Sequence, residues 1–166
     1  MSRLTHRTAP QCTYFVTTKT WQNREVFRVQ ETAEVVLDCL LRYRDRASYL
    51  LHEFVIMPNH VHILLTPGDE CTLEKAMQLI KGGSSHDIHL KRERKMHIWQ
   101  PGFHEWTVRN SEDYESKRSY IWQNPVHREL TDKPEEWIFG SACGKYRLDP
   151  VPEKLKDGLQ GLKPRV

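Results

Sequence analysis

The chain has 166 residues, 38% of them hydrophobic and 28% charged, with 25 Lys and Arg against 22 Asp and Glu. That length suits one domain with a sizeable core, and the mix excludes a disordered chain, a collagen-like chain and a coiled coil. No apolar run approaches the ~18–20 residues of a membrane span. The net charge of +3 is compatible with a nucleic-acid partner without requiring one. Residues 1–10 contain no apolar stretch of the signal-peptide kind. The four cysteines, Cys12, Cys39, Cys71 and Cys143, form no C-x-x-C pair. They support neither a structural zinc site nor a disulfide framework, and a reducing cytoplasm is the expected location.

Residues 1–11 read as a flexible polar arm, 12–146 as the domain and 147–166 as a C-terminal tail. Cys12–Lys19 is rich in β-formers and predicts a strand. From Arg28 to Ala47, apolar Ala33, Val36, Leu37 and Leu40 recur at helical spacing. Tyr49–Met57 and His60–Thr66 are two apolar, β-branched runs around Pro58-Asn59, a turn pair, and predict a hairpin. Thr72 can cap a helix bearing Leu73, Ala76, Met77 and Ile80. Gly82-Gly83-Ser84-Ser85 is expected to interrupt it before a basic segment, His86–His97. Phe103–Arg109 predicts a fourth strand. Asn110 and Asp113 then form a capping signal for a last helix, expected to stop near Pro125. Four prolines after Lys133 mark an irregular tail. The order β-α-β-β-α-β plus one helix predicts an α+β, ferredoxin-like (split βαβ) fold with an antiparallel sheet.

His60-Val61-His62 is the most pointed segment. Side chains alternate along a strand, so Val61, Ile63 and Leu65 face the helices while His60, His62 and Leu64 face the other way. Two imidazoles ~6–7 Å apart on one face can chelate one cation, although a bare H-x-H also occurs as plain decoration. A third ligand and a nucleophile are available on the last helix. Tyr120 shares a polar face with Asp113, Ser116, Lys117 and Asn124. A phenol of pKa ~10 is scarcely ionised at pH 7. It becomes a nucleophile when a metal polarises the electrophile and a cation such as Lys117 favours the phenolate. Asn124 would add a hard oxygen ligand beside the imidazoles, and this set favours Mg²⁺ or Mn²⁺.

Three segments together carry a resemblance. M-P-N-H-V-H at Met57–His62 resembles the His-hydrophobic-His motif of the HUH single-strand DNA endonucleases. Trp99-Gln-Pro-Gly-Phe-His104, Arg109-Asn110 and Tyr120-Ile-Trp-Gln-Asn-Pro-Val126 resemble the REP-associated tyrosine transposases of the single-tyrosine branch. The similarity runs in order from about Tyr14 to Tyr146. It implies a divalent cation held by His60, His62 and Asn124. It implies that Tyr120 attacks a phosphodiester of single-stranded or hairpin DNA, leaving a 5′-phosphotyrosine and a free 3′-hydroxyl. The group acts on short palindromic repeats. Related insertion-sequence enzymes use the tyrosine of a partner subunit, a feature not carried over; a monomer and a homodimer both remain open. The chain departs from the pattern at Trp122 and at His127-Arg128-Glu129.

Residues 81–97 hold five basic and two acidic residues, and Lys81, Lys91, Arg92, Arg94 and Lys95 are candidate phosphate contacts. Arg109 and Lys117 join them, and Trp99, Phe103 and Trp106 are candidates for stacking on unpaired bases or for core packing. Two other functions share parts of this pattern. One is a non-catalytic module that grips hairpin DNA or RNA. The other is a two-histidine phosphoesterase, which would need a pair of His-x-Ser/Thr motifs, whereas His6-Arg7-Thr8 in the polar arm is the one place in the sequence with that form.

Overall fold

The computed structural model describes residues 11–156. The arm expected over residues 1–11 therefore falls, Gln11 apart, outside the described residues, as do residues 157–166 of the tail. The main elements are β1 (Thr13–Lys19), α1 (Gln30–Asp45), β2 (Tyr49–Met57), β3 (His60–Pro67), α2 (Leu73–Arg92), β4 (His104–Val108) and α3 (Ser111–His127). The strands form one antiparallel sheet in the order β2-β3-β1-β4. This is the α+β arrangement the element order predicts. Met57 pairs with His60, so Pro58 and Asn59 alone turn the hairpin. Among the described residues no helix is long and apolar enough to cross a membrane.

The sheet is buried on both faces, and the alternation of its strands decides what each face meets. Val16, Phe54, Ile56, Val61, Ile63 and Leu65 pack with Val36, Leu40, Met77 and Ile80 of α1 and α2. Phe15, Val55, Met57, Leu64 and Val108 pack with Tyr114 and Ile121 of α3 and with Leu155. The extra helix thus covers the face opposite the first two. A β-bulge in β2 widens that face. Leu51 pairs with Leu65 and Glu53 with Leu64, leaving His52 as the additional residue. His52 and Glu53 consequently both meet α3, His52 against the Tyr114 ring at 6.1 Å and Glu53 through the Trp122 indole at 2.8 Å.

Two helix boundaries differ from the expectation. Gly82-Gly83-Ser84-Ser85 does not interrupt α2, which runs unbroken for 20 residues. Gly83 is there because α1 comes close: a Cβ would meet the Tyr43 ring at 3.0 Å and Cys39 Sγ at 3.1 Å. Ser84 donates back to Ile80 O at 2.6 Å and accepts from Trp99 Nε1 at 3.0 Å. α2 ends one residue later than Lys91, where Glu93 turns into the left-handed region. α3 passes through Pro125 and stops at His127. The proline forfeits one ladder hydrogen bond near the helix end, where Arg128 and Leu130 N–H groups still reach the carbonyls of Asn124 and Pro125. The cap of α3 matches the sequence signal. Asn110 accepts from Asp113 N at 2.8 Å, and the Asp113 carboxylate accepts from Arg109 N.

The chain after α3 closes the β2 edge. Phe139 O accepts from Ile56 N at 2.8 Å, and Gly140 bridges to Val55. Further on, Asp149 pairs with Arg44 at 2.8 Å and accepts from Leu51 N.

The adjacent glycines of α2 should respond in opposite ways. Gly82 has open space around its missing side chain, so Gly82→Ala should stabilise the fold by about 0.5–1 kcal/mol. Gly83→Leu should destabilise it by about 1–3 kcal/mol through overpacking against Tyr43 and Cys39. Urea unfolding of both variants measures the difference.

Candidate metal and nucleophile site

β3 enters the sheet at His60, directly after the hairpin turn, and that turn is tied down. Asn59 O accepts from Thr20 N at 2.9 Å and from the Thr20 hydroxyl at 3.0 Å, and Pro58 O accepts from Phe27 N. The first strand residue therefore has a fixed position. His60 and His62 are both buried, with ring centroids 4.8 Å apart. Each ring is held through Nδ1. His60 Nδ1 donates to Asn59 Oδ1 at 2.6 Å, and His62 Nδ1 shares a 2.8 Å hydrogen bond with the Thr17 hydroxyl on the register-paired residue of β1. A proton on Nδ1 leaves the Nε2 lone pair free, the arrangement that outer partners impose on metal-binding imidazoles.

His62 Nε2 is buried and has no hydrogen-bond partner, and the same is true of Asn124 Oδ1. Buried polar atoms are paired in the great majority of cases, so two orphans in one place require a reason. Asn124 lies in the last turn of α3 with its carboxamide against His60. Among the described residues no three His, Cys, Asp or Glu side chains form a metal-binding group. A cation here would take two imidazole nitrogens and the Asn124 oxygen. The residues fit that role: three donors, two of them orphaned, and imidazoles held neutral.

That neutrality has identifiable causes. Burial, then the nearby Arg128 charge, pushes His60 down to about 4, partly opposed by Asn124. Burial, then His60, then Arg128, with Lys117 and Lys19 behind them, pushes His62 down to about 3. Arg128 was missed at the sequence level. It follows α3 directly and shares with Met57, Pro58, Asn59 and His60 a cleft of about 190 Å³. Its only sequence signal was its departure from the family pattern. Phe15 and Thr17 were also missed, since only the β1–β3 register places them beside His62.

Tyr120 lies against the second of the two histidines. Its ring centroid is 5.1 Å from that of His62, edge-on at 72°, and 5.9 Å from that of Phe15. Phe15 in turn stacks on His62 at 5.3 Å. Tyr120 remains 47% exposed, so a ligand can reach it. The Lys117 ammonium stands 4.9 Å from the Phe15 ring centre and 4.7 Å from that of Trp106. Tyr120, Asn124, His60, His62 and Lys117 are thus brought together by one helix lying on one strand pair.

The candidate nucleic-acid contacts divide. Lys91, Arg92, Arg94 and Lys95 are exposed at the end of α2. Since α2 runs back along the sheet from the far end of β3, that terminus lies at the His60 end. Three other candidates are packed, bonded elsewhere or distant from His60. Trp99 is 8% exposed, with its ring 4.9 Å from Phe27, so no face is free for a base. The Lys81 ammonium donates to Gln100 O at 2.7 Å and Gly102 O at 2.5 Å, tying a loop. Arg109 lies beyond Val108, which pairs with Thr13 at the opposite end of β1 from His60.

The neutral imidazoles have a consequence for stability. Unfolded histidine takes up protons near the ordinary value of 6.5, whereas His60 and His62 resist until about 4 and about 3, and buried His52 is lowered too. Below pH 6.5 the unfolded chain binds more protons, so stability falls with falling pH. Urea midpoints of the metal-free protein should drop steadily from pH 7 to pH 4.5, and His62→Gln should flatten that slope.

Comparison with known proteins agrees with this geometry. The family described as "Transposase IS200 like" matches residues 8–124. A REP-associated tyrosine transposase of Escherichia coli (strain K12) is 25% identical over 148 residues, covering 82% of this chain and 87% of that protein. The solved structure of a REP-associated tyrosine transposase bound to a REP hairpin superposes with a TM-score of 0.70 at 24% identity, covering 92% of this chain and 93% of the other. A Deinococcus radiodurans r1 crystal structure, provisionally assigned as a transposase, gives a TM-score of 0.52 at 18% identity, covering 78% and 98%. Sheet order, the paired histidines and the tyrosine helix all lie within a fold shared with these proteins, and the chain belongs to the IS200-like transposase family.

Proposed function

We propose that the chain is a metal-dependent single-strand DNA endonuclease and strand transferase that acts on hairpin-forming palindromic repeats. The observation that carries the reading is Tyr120 seated over His62 while His62 Nε2 and Asn124 Oδ1 stay buried without partners. Its relative bound to a REP hairpin supports the choice of substrate.

His60, His62 and Asn124 would hold the cation, Mg²⁺ or Mn²⁺. When bound, it supplies Lewis-acid polarisation of a non-bridging phosphate oxygen, worth several kcal/mol in the transition state. The chain's own residues do the rest. Asn59 Oδ1 fixes the His60 tautomer, and the Thr17 hydroxyl orients the His62 ring. Phe15 supports the rings of His62 and Tyr120 from beneath. Arg128, at the cleft beside His60, offers a cation to a neighbouring phosphate. Tyr120 Oη loses its proton to solvent and forms the new bond to phosphorus, the bond to the 3′ oxygen breaks, and that oxygen takes a proton from solvent and leaves as a hydroxyl. The ester to the 5′ side conserves the bond, so reversal by another 3′-hydroxyl rejoins strands without a nucleotide cofactor. Since Tyr120 overlies the histidine of its own chain, the reading is of cleavage within one subunit. The exposed run Lys91, Arg92, Arg94 and Lys95 would receive the hairpin backbone, with salt-dependent affinity.

Incubation with a library of single-stranded hairpins and Mg²⁺ or Mn²⁺, followed by denaturing electrophoresis, should reveal a covalent protein–DNA adduct. Chelator and Tyr120→Phe should each abolish it, and His62→Ala should slow its formation at least about 100-fold. An adduct that survives in Tyr120→Phe removes the tyrosine from its role. Hairpin binding without adduct under every metal condition would leave the module that only grips hairpins.

A further inference from the structure

Trp106 is 55% exposed. Among the described residues the large hydrophobic side chains left exposed include only two aromatic rings, Trp106 and Tyr120. Both belong to the α3-covered face of the sheet. Trp106 pairs across β1–β4 with Phe15, and Phe15 meets Tyr120 at 5.9 Å. The indole is therefore one strand spacing, about 4.8 Å, beyond the ring on which the nucleophile rests. Lys117 bridges the gap, its ammonium 4.7 Å from the Trp106 ring centre and 4.9 Å from that of Phe15. β4 is the edge of the sheet, so among the described residues no further strand covers the indole from outside.

A core role does not explain this side chain. Its register partner Phe15 is buried, as is Val108 two residues on, while Trp106 keeps more than half its surface in water. An exposed indole beside a cation matches a segment that carries both a flat apolar ring and a negative charge, which describes an unpaired nucleotide. An apolar helix would not call for the lysine poised between the rings, and the place of the indole beside Phe15 and Tyr120 favours the nucleotide.

We propose that Trp106 is a stacking platform for one unpaired base flanking the phosphate attacked by Tyr120, with Lys117 directed at that nucleotide's phosphate. This rests on the single-strand DNA reading of the site and names how the strand is held there. The platform fixes the phosphate's position relative to Tyr120 by holding its neighbour. Stacking accepts any base, so Trp106 sets the path of the strand and leaves sequence choice to other contacts.

The test uses hairpin oligonucleotides whose single-stranded tail carries 2-aminopurine at one position at a time, bound to the full-length Tyr120→Phe protein so that no cleavage intervenes. One tail position, next to the phosphate that the wild-type protein joins to Tyr120, should lose fluorescence on binding. Trp106→Ala in that background should restore the fluorescence and weaken binding of the tailed hairpin roughly 5- to 150-fold. Trp106→Phe should keep part of both effects, and a hairpin without tail should bind all three proteins alike. Quenching and affinity unchanged by Trp106→Ala would overturn the platform, and if wild-type protein still forms its adduct, the nuclease reading stands without it. Failure of the wild-type protein to bind or join any tailed hairpin would overturn both.

Discussion

The site depends on leaving two imidazoles neutral inside the fold. A histidine on a half-exposed strand would titrate near its ordinary value and carry a proton through much of the acidic range. His60 and His62 do not, because α3 lies across them and removes water from the face of the sheet that bears them. Covering that face costs desolvation of two rings and one carboxamide. The fold offsets this in part through the hydrogen bond that His60 Nδ1 donates to Asn59 Oδ1 and the one that His62 Nδ1 shares with the Thr17 hydroxyl. The Nε2 side of His62 is left without compensation. Such an imbalance is expected where a ligand completes the set, since an apolar replacement would otherwise be the cheaper filling.

The position of Tyr120 therefore rests on whatever holds α3 to the sheet. Apolar packing supplies most of it, through Tyr114 and Ile121 against Phe15, Leu64 and Val55. A polar anchor adds direction. Buried Glu53, placed on this face by the bulge in β2, accepts from Trp122 Nε1 and from the Ser141 hydroxyl. Burial pushes its carboxyl up, while Ser141, Trp122 and Arg118 act against that shift. The anchor ties together the sheet, the helix that carries Tyr120 and the segment closing the β2 edge. Trp122, a departure from the family pattern, thus has a local partner that explains it.

Sequence reading reached the fold because its signals were periodic. Alternation on β3 separated Val61, Ile63 and Leu65 from His60, His62 and Leu64, and the structure divides them in the same way. The Asn110 cap and the Pro58-Asn59 turn are local chemistry and were equally legible. What failed was long-range. Gly82-Gly83 reads as a break until α1 is seen pressing on Gly83. Trp99 and Trp106 are the same residue type seven positions apart, yet one fills the core beside Phe27 and the other faces water. No local pattern distinguishes them, because their environments are set by pairing partners distant in sequence. The site was legible in its histidines and tyrosine. Its supporting residues, Phe15, Thr17 and Arg128, depended on strand register and on where α3 ends.

The charges around the site act twice. Lys19, Lys117 and Arg128 each help hold the imidazoles neutral by like-charge repulsion. A neutral imidazole is the form that ligates a cation. In the proposed function the same three cations would also favour the approach of a phosphodiester to the buried pair. A binding face built from protonated histidines would attract phosphate but repel the metal. One built from neutral histidines without these cations would take the metal but not steer the strand. In the proposed function, fixed cations above neutral donors would satisfy both demands, with residues from β1, from α3 and from the segment that follows it.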